Sequence, residues 1–167
     1  MTINTKTLAA IDIGTNAIRL FISNVEEYPT ETLFKKIAFL RVPIRLGEDV
    51  FTTGEIGQQK RKRLCETMQG FSYIMSAFNV ESYKAYATCA MREARNGKSV
   101  AEQIQKECDL NIEIISGTKE AETIFAGGMN EVVDDDKTYL YVDVGGGSTE
   151  VIVYSKSVKV EACSFPL

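Results

Sequence analysis

The segment LAAIDIGTNAIRLFI near the start of the chain returns, altered, as YLYVDVGGGSTEVIV near its end. Asp12 matches Asp143, Gly14 matches Gly145, and Arg19 falls on Glu150. Each copy is an apolar run, then D-[IV]-G, a small polar turn and a second apolar run. That is the pattern of a strand, a tight loop and a returning strand. Two such hairpins facing each other make a phosphate clamp, because glycines let backbone N–H groups approach an anion closely and carboxylates can hold a metal. The repeat therefore points to phosphoryl chemistry.

The residue inventory narrows that chemistry. The 167 residues contain no histidine, which excludes a Ser-His-Asp triad, a Cys-His pair and a His-ligated zinc. Acid–base work then falls to Asp, Glu, Lys, Tyr or Cys, and a metal should be a hard cation held by oxygen. Cys65, Cys89, Cys108 and Cys163 are widely spaced and form no C-x-x-C pair, so they read as reduced thiols. A net charge of −4 argues against a general nucleic-acid-binding surface. It leaves room for a polyanionic substrate held by local basic residues. No apolar run approaches the roughly 18 residues of a membrane span. The opening MTINTKTLAAIDIG carries one Lys and an Asp within its apolar stretch, unlike a secretory signal, so the expected location is the cytoplasm.

Along the chain, strands are expected at 7–15, 17–25 and 33–42, with Pro43 ending the third. RLGEDVFTTG (45–54) reads as a loop. Leu64, Met68, Phe71, Met75 and Phe78 give a long amphipathic helix over about 55–78 the required spacing. A strand at 82–88, a short piece at 90–97, a helix capped by Ser99 and Glu102 and ending near 108, and a strand at 111–115 follow. Ser116-Gly117 opens a helix to about 131, with apolar positions Ala121, Ile124, Phe125, Gly128 and Val132. After the polar connector come strands at 138–144, 149–155 and 158–165. The order β-β-β-α-β-α-β-α describes a mixed sheet covered by helices, and the last three strands read as the opening of a second copy. The division is a first domain over 1–131, a connector over 132–137 and a partial second domain over 138–167, so the sequence reads as a piece of a longer protein.

In the first loop Asp12 is a candidate metal ligand, and Gly14, Thr15 and Asn16 are a candidate phosphate cradle; the plain alternative is a hairpin turn, where these residue types are common. In the second, Asp143 and Glu150 flank Gly145, Gly146, Gly147 and Ser148. Three consecutive glycines after what reads as a buried strand weaken local structure, which suggests a ligand at the backbone. Arg92 and Arg95, after the strand at 82–88, sit where ligands gather in sheets with flanking helices, and their planar forks suit phosphate; the alternative is a pair of solvated surface arginines. Arg19, Arg41, Arg45 and Lys119 are weaker members of that set. Glu120 lies in the first turn of a helix, where a carboxylate favours the helix dipole without any catalytic role. Cys89 and Arg95 satisfy C-x5-R, the spacing of thiol phosphatases, but the intervening AMREA has no glycine and favours helix.

Together AAIDIGTNAIRL, IRLGEDV, ATCAMREARN, IISGTKEAETIFAGG and VDVGGGSTEV resemble the exopolyphosphatase / guanosine-pentaphosphate phosphohydrolase family, and SFPL resembles the start of its S-x-P-x-G segment. The resemblance implies a ribonuclease H-like, actin-type α/β domain: a mixed five-stranded sheet, its first three strands antiparallel, with helices on both faces. The opening three strands of a second similar domain follow. It implies a Mg2+-dependent hydrolase that releases terminal orthophosphate from polyphosphate or guanosine pentaphosphate and is a homodimer at full length. By the same resemblance Glu120 is the base that activates water, and Asp143 and Glu150 lie near Mg2+. Arg92 binds phosphate oxygens, although Glu120 and Glu150 could exchange roles. An ATP-using relative of the same fold and a silent phosphate-binding module are the competing classes. One departure stands out: the family's first loop reads D-x-G-S-N-S, whereas here it is D-I-G-T-N-A, with Ala17 lacking a hydroxyl.

Overall fold

A computed structural model describes residues 4–127, 137–155 and 158–166. They divide into two compact units, residues 1–114 and 115–167. In the first unit, β1 (Asn4–Ile13), β2 (Ile18–Glu27) and β3 (Thr32–Val42) form an antiparallel meander. Helices α1 (Leu46–Thr53) and α2 (Gln58–Ala77) lead to β4 (Ser82–Ala87). Then come α3 (Cys89–Glu93), α4 (Gly97–Cys108) and the short β5 (Glu113–Ile114). The sheet order is β3-β2-β1-β4-β5, with β1, β4 and β5 parallel, which is the expected mixed five-stranded sheet.

Strand pairing decides which side chains share a face. Ala9, Ile11 and Ile13 stand opposite Ile22, Leu20 and Ile18, and Ala38, Leu40, Val42, Ala85 and Ala87 extend that face. Leu64, Met68 and Phe71 of α2 and Val100 and Ile104 of α4 join the same core. The predicted α2 stripe is thus buried up to Met75, whereas Phe78 lies past the helix end and is 42% exposed. The helices of this unit contribute to that face. The other face bears Phe21 and the exposed Phe39, and across its strands runs the row Arg41, Arg19, Asp12, Tyr86, Glu113.

Two further differences have local causes. The segment read as a loop at 45–54 contains α1, because Leu46 and Val50, one turn apart, are both buried. Gly54, in the left-handed region at φ 79°, closes the helix by donating its N–H to the Val50 carbonyl. Helix α4 begins at Gly97, so Ser99 and Glu102 lie within it and do not cap it. Asn96 precedes it and turns its amide to the backbone N–H and C=O of Ile56, at 2.9 Å each, which locks the α1–α2 connection to the start of α4.

In the second unit, α5 (Gly117–Ala126) precedes an antiparallel sheet of β6 (Thr138–Val144), β7 (Ser148–Ser155) and β8 (Val158–Pro166). Ala121 packs with Ile152 and Tyr154, and Lys159 on β8 pairs with Glu122 at 2.7 Å. The helix assigned to the first domain from sequence therefore packs in the second unit. Strand β6 is not the buried strand expected, since Leu140, Val142 and Val144 are exposed. Gly128 and Val132, the connector before residue 137 and the 131/132 division lie outside the described residues. Among the described residues no helix is long and apolar enough to cross a membrane.

Candidate phosphate-binding hairpins

The repeat read in the sequence is a repeat in space. In the first unit Asp12 faces Arg19 and Ile13 faces Ile18; in the second, Asp143 faces Glu150 and Val144 faces Thr149. Gly14 donates its N–H to the Ala17 carbonyl at 3.2 Å, and Gly145 to that of Ser148 at 2.8 Å. A Cβ would stand 3.2 Å from the Ala17 oxygen at Gly14 and 3.1 Å from the Ser148 oxygen at Gly145, so both turns favour glycine for the same reason. The ladders even break alike. A bulge falls between Ile22 and Ser23 in one copy and at the matching Val153 and Tyr154 in the other.

What differs is the charge opposite the shared aspartate. In the first hairpin the Arg19 guanidinium forms an ion pair with Asp12 and lies against the turn; Nη1 is 3.5 Å from where a Gly14 Cβ would be. Asp12, expected as a metal ligand, is here paired with this cationic side chain. The turn is gripped from outside: Thr15 and Asn16 give their carbonyls to the N–H groups of Gly47 and Arg45, each at 3.0 Å. Arg45 takes the left-handed conformation at the N-cap of α1. Lys60 binds the Arg45 carbonyl and reaches Glu48 and Asp49 at 2.9 Å each. Burial lowers the Lys60 pKa, but the bonds to Asp49 and Glu48 outweigh it and the net shift is upward. Gly47 fits tightly, since a Cβ there would be 2.4 Å from Thr15 Cγ2. Gly47 and Lys60 were not singled out from the sequence; Gly47 lies within the IRLGEDV motif, but nothing there marked its contact with the first turn.

Helix α3 begins beside this turn, because Thr88 donates its N–H to the Ile13 carbonyl at 3.2 Å. Arg92 follows one helical turn later and lies 3.4 Å from Glu93. The C-x5-R reading fails on geometry: Cys89 is buried in the helix, and Arg95 donates to the Thr53 carbonyl at 2.8 Å. Asn16, at the turn tip, is exposed, and Thr15 is buried.

In the second hairpin both facing residues are acidic. Glu150 is 2% exposed, and Ser148 donates to its Oε1 at 2.6 Å. Ser148 stands where the first turn has Ala17, so a hydroxyl occurs where a carboxylate can accept from it and is absent where Arg19 would not. Burial, and then the Asp143 and Glu150 charges, push the Tyr141 phenol up. Gly147 is buried and Gly146 exposed at this turn. Ser116 caps α5 by accepting the Lys119 N–H at 3.1 Å, and Glu120 follows with Oε2 shielded from solvent. Glu120 is thus anchored through its neighbour Ala121 to β7, the strand that carries Glu150.

Among the described residues no three acidic, His or Cys side chains cluster as a metal cage. Asp143 and Glu150, directly opposite on neighbouring strands, offer two carboxylates. That suits Mg2+, which binds through one or two carboxylates and fills its shell with waters and phosphate oxygens. The first hairpin presents an arginine and the second a carboxylate pair on the same backbone frame.

Residues 11–167 match the Ppx/GppA phosphatase family, and the chain belongs to that family. It is 34% identical over 146 residues to a bifunctional 3-dehydroquinate synthase/phosphatase of Fusobacterium nucleatum, covering 85% of this chain and 22% of that protein. The crystal structure of an exopolyphosphatase from Cytophaga hutchinsonii superposes with a TM-score of 0.86 at 29% identity, covering 97% of this chain and 51% of that one. A Bacteroides thetaiotaomicron protein with an actin-like ATPase fold matches at a TM-score of 0.50 and 8% identity, which bears on the fold alone. The chain spans about half or less of the length of these two closer relatives.

Proposed function

We propose that this chain is the phosphate-handling part of a Mg2+-dependent phosphoanhydride hydrolase that releases terminal orthophosphate from linear polyphosphate. The observation that carries the reading is the pair of matched turns with opposite charge across from the aspartate. Arg19, held by Asp12, and Arg92 bind phosphate oxygens in the first unit, and the Gly14–Asn16 and Gly145–Ser148 turns each offer backbone to a phosphate. Glu120 accepts a proton as water attacks the terminal phosphorus; the bridging P–O bond breaks, and its oxygen leaves with the shortened chain. Asp143 and Glu150 would hold Mg2+, which when bound neutralises charge on the phosphate oxygens. Ser148 keeps Glu150 oriented. Guanosine pentaphosphate has the same terminal anhydride and is the second substrate of this reading, in a cytoplasmic protein that is a homodimer at full length.

The test is orthophosphate release from long-chain polyphosphate with Mg2+ and with EDTA, alongside calorimetric binding of the same substrate. Release should require Mg2+, and Glu120→Gln should abolish it while leaving binding in place. Undiminished release by Glu120→Gln would remove Glu120 as base. ATP turnover without polyphosphate binding would move the protein to the ATP-using members of the fold.

A further inference from the structure

Arg41 on β3 lies directly opposite Arg19 on β2. Directly opposite residues of an antiparallel pair project to the same face with Cβ atoms about 4.5–5.5 Å apart, and like charges so placed are destabilising. Asp12 is already engaged by Arg19. Arg41 is exposed and has no hydrogen-bond or ion-pair partner among the described residues. Its neighbours on that face are Phe39 along the strand and Phe21 diagonally across, neither of them acidic. The two guanidinium groups therefore make a cationic step that begins at the Gly14 turn and runs outward across the sheet, in a protein of net charge −4.

We infer that Arg41 is a second phosphate subsite, binding the phosphate that follows the one held at Arg19 and the turn. The ligand class is a linear anion of at least two linked phosphates. A lone orthophosphate fills the turn and leaves Arg41 unused, whereas a chain bridges both arginines and relieves their repulsion. This rests on the phosphate role proposed above for the first hairpin and adds to it a preference for chain length.

The experiment titrates the chain with orthophosphate and with tripolyphosphate by calorimetry, comparing wild type, Arg41→Gln, Arg41→Lys and Lys36→Gln. Lys36 removes the same charge from the same strand farther from the turn. Arg41→Gln should weaken tripolyphosphate binding about tenfold, as expected for loss of a charge-assisted contact at an exposed site. Orthophosphate binding should stay at the wild-type level, Arg41→Lys should recover part of the loss, and Lys36→Gln should behave as wild type. Because Arg41 is exposed on an edge strand, an unchanged urea midpoint will show that the variant folds. If wild type binds tripolyphosphate and Arg41→Gln binds it equally well, the subsite is wrong while the hairpin's phosphate role stands. Equal losses for Arg41→Gln and Lys36→Gln, or for both ligands, would likewise overturn it. If wild type binds neither phosphate, both readings fall together.

Discussion

The contact between Gly47 and Thr15 makes the grip of α1 on the first turn measurable. A methyl at position 47 would lie 2.4 Å from Thr15 Cγ2 and 2.9 Å from Phe51 Cε2. Carbon atoms prefer about 3.5–4.0 Å, so the threonine methyl must retreat by about 1 Å or more. Phe51 is 48% exposed and can swing away; Thr15 is buried and its backbone is held by the bond from the Gly47 N–H, so its methyl has less room to turn aside. Overpacking of this kind costs about 1–3 kcal/mol. The helix gain of alanine over glycine, at most about 1 kcal/mol, offsets part of that. Gly47→Ala should therefore destabilise the first unit by about 1–2 kcal/mol. Thr15→Ser removes Cγ2 and keeps the hydroxyl, so in that background the same change should be close to neutral, giving a coupling of about 1–2 kcal/mol in a double-mutant cycle. Hydrogen exchange at β1 and β2 amides is the suitable assay, because it reports this unit separately from the other. A Gly47→Ala protein as stable as wild type, or one that Thr15→Ser does not rescue, would refute the argument.

Other consequences can be checked directly. Burial pushes the Cys65 thiol up to about 11 and raises that of Cys108, and Cys89 is buried, so mild alkylation near neutrality should label Cys163 first, as read by peptide mass spectrometry. Lys60→Met should cost about 1–2 kcal/mol in urea unfolding, since it leaves the Arg45 carbonyl and Asp49 without their cation and Glu48 with the exposed Arg45 alone. Because the Lys60 pKa is raised on folding, its contribution should be complete below the ordinary lysine range and fade as pH rises through the raised value. Lys159 holds the Glu122 carboxyl below its ordinary range, so this link between α5 and β8 should persist at neutral pH and weaken as pH falls through the lowered value; Lys159→Met should erase that dependence in exchange rates of α5 amides. Ser148→Ala should reduce phosphate release more than it reduces binding, because it frees Glu150 to reorient.

The hairpins, their glycine turns and the α2 stripe were legible because each depends on local pattern: a period of two, a period near four, or a turn only small residues suit. The residues that hold the first turn were not. Helix α1 has a single pair of buried apolar residues one turn apart, between a left-handed arginine and a glycine, and Lys60 of the next helix ties down its first turn. Nothing in RLGEDVFTTG announces that partner. Ser99 and Glu102 formed a good cap pattern that lost to a tertiary contact, because Asn96 is needed at Ile56. The pairing of Asp12 with Arg19 follows from strand register, which the aligned repeat implied, but its chemical meaning emerged only beside Asp143 and Glu150. For α5, the apolar spacing marked a helix without saying which sheet it would cover.

Strand β3 forms one edge of the larger sheet, and an edge invites a second copy to add itself. Here the middle of the edge holds Lys35, Lys36 and the bulge residue Ile37. Lys35 is engaged by Glu26, which leaves Lys36 as uncompensated charge. Two copies laid antiparallel in a register centred on the strand would bring these lysines within a residue or two of each other, and the bulge would break the ladder at the same place. The edge is therefore poorly suited to pair with itself despite the exposed Phe34 and Phe39 beside it, and concentrated protein should resist growth into strand-to-strand aggregates along this side.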